Sequence, residues 1–139
     1  MYFHNFIIKM RVGLSYWLKN KLYLTVTNNC NSLSSIVIRG PSFVMPKESG
    51  FQMLNFEPTS EDLVKEVEDA FQKGLIRVDS MESDEITFAG CGEPLLRLDV
   101  VTEAARLIKD NRHGVPLRVK TNGLIKSNTS FNVSLYLFE

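Results

Sequence analysis

The middle of the chain alternates strand-like and helix-like patterns, and this alternation constrains the fold more than any other feature. "KLYLTVTN" (21–28) sets Leu22, Leu24 and Val26 against Tyr23, Thr25 and Thr27, a period of two rich in β-branched and aromatic residues, as in a strand. "EPTSEDLVKEVEDAFQKG" (57–74) then reads as a helix. Pro58 stands at its entry, Thr59 or Ser60 can cap its free N–H groups, and Glu61 and Asp62 suit the positive end of its dipole. Leu63, Val67, Ala70 and Phe71 form one apolar face, and Gly74 suits the left-handed turn that ends a helix. "EITFAG" (85–90) predicts a second strand. "LDVVTEAARLIKD" (98–110) predicts a second helix, with Asp99 as cap, a buried stripe of Val101, Ala104, Ala105 and Ile108, and a stop at Gly114 and Pro116. "PLRVKTNG" (116–123) predicts a third strand. The order β-α-β-α-β implies an α/β fold: about three parallel strands joined by two right-handed crossover helices.

The 139 residues suit one domain or part of a larger one. Residues 1–20 have no clean period and read as an N-terminal lead-in, either disordered or targeting. Residues 126–139 ("LIKSNTSFNVSLYLFE" begins at Leu124) read as an atypical tail with a short strand pattern at Leu135–Phe138. Net charge is zero, so no overall field argues for nucleic acid or an anionic membrane. Charge is uneven all the same. Lys9, Arg11, Lys19, Lys21, Arg39 and Lys47 all precede the first acid, Glu48, and an acid-free start is one mark of an organellar targeting segment. No apolar run approaches the ~18–20 residues that span a bilayer. Two cysteines, Cys30 and Cys91, make no disulfide framework and suit a reducing compartment, so a cytoplasmic location is expected.

In parallel α/β folds, function sits at the carboxyl ends of the strands. Three loops end there: "NNCNSLSSIVIRG" (28–40), "GCGEPLLR" (90–97) and "KTNG" (120–123). Gly90 and Gly92 allow a close approach to the backbone, Glu93 offers a carboxylate for an ammonium group, and Pro94 fixes the turn. Thr121 and Asn122 add polar groups at the same mouth; alone, Asn122-Gly123 reads as a turn. Arg39 and Gly40 are candidates to meet an anionic ligand. Tyr16, Trp17 and Tyr23 read as packing residues, His113 as charge complement to a helix end, and "DSMESDE" (79–85) as a solvated loop. His4 carries no cue for catalysis.

"FAGCGEPLLRLDVVTEAARLIKD" followed by "LRVKTNGL" resembles the second strand, glycine–glutamate motif and third strand of radical S-adenosylmethionine enzymes, and "LYLTVTNNC" resembles their first strand. "GFQMLNFEPTSEDLVKEV" is similar to the radical SAM proteins associated with TatD-type nucleases. The resemblance covers about residues 20–125. It implies a partial, half TIM-type βα barrel over 21–125. It also implies S-adenosylmethionine as a cofactor, its ammonium held by Glu93 beside Gly90, Gly92 and Pro94, with Thr121 and Asn122 at the mouth. A [4Fe–4S] cluster, held through a CxxxCxxC loop, is the family's other cofactor.

That loop is degenerate here. Counting from Cys30, the frame asks for cysteine at 34 and 37, where this chain has Ser34 and Val37. Clusters are held by thiolates; neither Ser35 nor Ser32 replaces one, and Val37 offers no donor. Cys30 is then a vestigial metal ligand and the cluster is expected to be lost. Three functions follow: a non-catalytic binding or interaction module of a TatD-associated protein; an active radical SAM iron–sulfur enzyme using Cys30, Cys91 and outside ligands; or a truncated, inactive piece of a longer radical SAM or TatD-type hydrolase protein. The implied partners are a TatD-type hydrolase domain or the missing barrel half, and open sheet edges permit an oligomer.

Overall fold

The computed structural model describes residues 10–32, 45–77 and 84–124. The fold is mixed α/β: a four-stranded open sheet with two helices. The strands are β1 (Ser15–Leu18), β2 (Lys21–Thr25), β3 (Ile86–Ala89) and β4 (Leu117–Val119), adjacent in chain order. β2, β3 and β4 run parallel, with Leu22 beside Ile86 and Ile86 beside Leu117. Helix α1 (Ser60–Gln72) connects β2 to β3, and α2 (Leu98–Asn111) connects β3 to β4.

The stretch read as a lead-in supplies β1, which pairs antiparallel with β2. The turn between them is only Lys19 and Asn20, at φ 50° and 63°. Positive φ at both central residues gives the twist that matches two hairpin strands, so these two residues fold the lead-in back onto the sheet. Residues 1–9 and the tail at 126–139 lie outside the described residues.

Side-chain alternation divides the sheet. Leu22, Leu24, Ile86, Phe88 and Leu117 join Leu63, Val67 and Ala70 of α1 and Val101, Ala104 and Ile108 of α2 in one buried cluster. Both helices therefore cover the same face. Each fully buried aliphatic or aromatic side chain there contributes about 1.5–3 kcal/mol. Tyr16, Tyr23, Thr25, Thr87, Ala89 and Arg118 alternate onto the other face. On that face Tyr16 stacks on Tyr23, ring centres 5.1 Å apart, and meets the edge of Phe51 at the same distance.

The helix starts follow from chemistry. Thr59 caps α1: its hydroxyl accepts from the Asp62 amide at 3.2 Å while the Asp62 carboxylate accepts from the Thr59 amide at 2.9 Å. Hydrogen bonding to the Thr59 backbone, chiefly, holds the Asp62 carboxyl below its ordinary range. Asp99 does not cap α2. A 3-10 turn at Pro94–Arg97 runs directly into α2, so helical structure begins five residues earlier and Asp99 lies in the first turn of α2. The acidic run read as a solvated loop ends in Glu85, whose side chain is only 14% exposed and pairs with Lys21 and Arg118.

Candidate functional site

The carboxyl ends of β2, β3 and β4 open on one side of the molecule, and the loops after them meet through Glu93. Glu93 is 2% exposed. Its Oε1 accepts from the Leu95 amide at 3.0 Å and from the Thr121 hydroxyl at 2.8 Å, and its Oε2 accepts from the Asn122 amide at 2.7 Å. A buried carboxylate needs such donors, because burial without them is costly. The Leu95 bond also caps the 3-10 turn, and Pro94 occupies its first position, where no N–H is required. The backbone N–H of Glu93 donates to Asn29 O at 2.8 Å, tying this loop to the one after β2. "GEP" and "TNG", separated in sequence, are thus one hydrogen-bonded unit.

The two glycines serve the chain's own packing. Gly90 has φ +111°, and a Cβ there would lie 2.6 Å from Thr25 Cγ2. A Cβ on Gly92 would lie 2.2 Å from Thr27 O and 2.5 Å from Asn29 O. The space a Cβ would take at each is filled by β2 and its following loop.

Asn122 reaches across the mouth. Its Nδ2 donates to Asn31 Oδ1 at 2.9 Å and Ser32 Oγ at 3.1 Å, and lies 3.8 Å from Cys30 Sγ. Hydrogen bonds from the Ser32 side chain and backbone, the largest influences, pull the Cys30 thiol below its ordinary pKa. Cys91 behaves in the opposite way: burial pushes its thiol up. Ser34, Ser35, Val37, Arg39 and Gly40 lie outside the described residues.

Arg97 and Glu57 were not singled out by sequence reading, yet they brace this edge. Arg97 Nη1 donates to Pro58 O at 2.6 Å and Val26 O at 3.1 Å, and lies 3.2 Å from Glu57 Oε2. Glu57 Oε1 accepts from Thr27 Oγ1 at 3.0 Å. The "FEP" entry to α1 and the arginine that ends "GEPLLR" were the available signals.

A [4Fe–4S] cluster asks for several convergent thiolates. Here Cys30 belongs to the mouth, and no group of three His, Cys, Asp or Glu is placed to hold a metal among the described residues. The described donors do not fit that group. S-adenosylmethionine would meet a carboxylate that already accepts three bonds; of its roughly four acceptor positions, the one left is on Oε2.

No protein-family model, curated protein or solved structure matches this chain. Among the described residues no helix is long and apolar enough to cross a membrane.

Proposed function

We propose that the chain is a radical-SAM-like partial βα barrel serving as a non-catalytic binding or interaction module of a TatD-associated protein. The observation that carries this reading is the joining of "GEP" to "TNG" through Glu93 at the carboxyl edge of the parallel strands. Two further features support it. Both crossover helices cover one face, as winding in a single direction requires, whereas a doubly wound sheet is covered on both. And the loop after β2 carries one cysteine where cluster chemistry needs three. The internal bonds to Glu93 suit a rigid mouth that presents a surface better than one that grips a small cofactor. A TatD-type hydrolase domain or the remaining barrel half is the partner this reading assigns.

Anaerobic reconstitution with iron and sulfide tests it. The expected result is no stoichiometric cluster and no 5′-deoxyadenosine when S-adenosylmethionine is added under reduction. A stoichiometric, redox-active [4Fe–4S] cluster overturns the reading in favour of an enzyme.

A further inference from the structure

The helix-free face of the sheet carries more positive charge than the fold needs. Strand register sets its side chains in rows. Tyr23, Thr87 and Arg118 are neighbours across β2, β3 and β4. One step toward the amino ends, Lys21 and Glu85 lie on the same face. One step the other way, Lys120 follows Ala89, fixed there by its amide's 2.9 Å bond to Phe88 O.

Two of the three cations on this face share one carboxylate. Lys21 Nζ lies 2.8 Å from Glu85 Oε1, and Arg118 Nε lies 2.5 Å from Glu85 Oε2. Among the described residues, Arg118 pairs with no carboxylate other than Glu85, and the ammonium of Lys120 pairs with none. Lys120 Nζ instead lies 6.0 Å from the centre of the Tyr23 ring. Lys21 and Arg118 remain open to solvent, with side chains 45% and 63% exposed. Arg118 on β4 and Lys120 just past its end are two residues apart in extended chain, which puts their backbones about 7 Å from each other. Among the described residues, these three cations and one carboxylate leave a net charge of two positive units over a patch three strands wide.

We infer that this face is a binding site for a small polyanion, a molecule with two or more phosphate or carboxylate groups. Arg118 offers one group a planar fork of donors and Lys120 meets the second as a point charge. Tyr23, beside buried Thr87, lies on the same face. Glu85 pairs with Lys21 and Arg118 at the amino-end side of the patch, and its single negative charge leaves the three cations in excess. The site stands on register and charge alone, on a different surface from the Glu93 mouth.

Isothermal titration of the full chain at fixed ionic strength, with pyrophosphate and with citrate separately, tests it. The expected result is saturable one-to-one binding of at least one of them. Lys120→Gln and Arg118→Gln should each weaken it about tenfold or more, the loss typical of one charged contact. Lys120→Arg should bind like the parent, and Arg106→Gln, on exposed α2, should leave binding unchanged. Stronger binding of pyrophosphate identifies a phosphoryl ligand, and stronger binding of citrate a polycarboxylate. Absence of saturation with both anions overturns the site, as does an equal loss in Arg106→Gln and Lys120→Gln. Either of these results leaves the cluster test of the mouth unaffected.

Discussion

The backbone amide of Asn122 donates to Glu93 Oε2 at 2.7 Å, joining the end of β4 to the loop after β3 across 29 positions of sequence. All three groups that meet the Glu93 carboxylate are donors. In Glu93→Gln one of them must face an amide NH2. Leaving a buried donor unpaired costs about 1–3 kcal/mol, so the variant should unfold at lower urea concentration by that amount. Its Asn122 and Leu95 amides should also exchange hydrogen faster. Unchanged stability and exchange would contradict the bracing role.

Gly92→Ala tests the loop contact from the other side. The added methyl would sit 2.2 Å from Thr27 O, which is backbone and cannot swing aside. The loops after β2 and β3 must separate, breaking the Glu93–Asn29 bond. Stability should fall by about 1–3 kcal/mol, as for other overpacked sites. Gly50→Ala is a useful comparison, because a Cβ there meets nothing within 4 Å and only its φ of +70° opposes the change.

Thr25 points to an opposite outcome. It is 1% exposed, and its hydroxyl has no hydrogen-bond partner among the described residues. Valine has nearly the same shape without the stranded hydroxyl. Thr25→Val should therefore stabilise the protein by about 1 kcal/mol, since an unsatisfied buried hydroxyl costs on that scale. A melting temperature that falls in this variant would show that the hydroxyl has a partner.

Tyr16 should make the fold sensitive to alkali. Burial, chiefly, pushes its phenol up to about 12 from an ordinary 10. A raised folded-state pKa keeps the proton on the native protein while the unfolded chain releases it. The associated stability is thus fully present below about pH 10 and is lost as pH rises toward 12. Tyr16→Phe keeps the stack on Tyr23 and removes the titrating group, so its stability should decline less between those pH values. Equal decline in both proteins would assign the alkaline sensitivity elsewhere.

Much of this architecture could be read from the chain. Leu22, Leu24 and Val26 alternate cleanly and face the helices. Thr59 and Asp62 announced the start of α1, and "GEP" with "TNG" announced the mouth. β1 escaped because Ser15–Leu18 is too short to show a period, and its turn, Lys19-Asn20, lacks the glycine that usually marks a tight hairpin. Asp99 was misread because a residue's type suggests a cap only where the helix begins, and the Glu93 bond to Leu95 moved that beginning forward. The roles of Arg97, Glu85 and Gly92 depend on partners 33 or more positions away. No local pattern encodes such distances.

The Lys19-Asn20 turn also gives the sheet a direction of growth. β2, β3 and β4 were each laid beside the strand before, every step using one crossover helix on the same face. On the far side of β2 the reversed β1 occupies the hydrogen-bonding edge, so no parallel strand can join there. Among the described strands, the parallel repeat ends at β4, and a further βα unit that continued it would begin beside that strand.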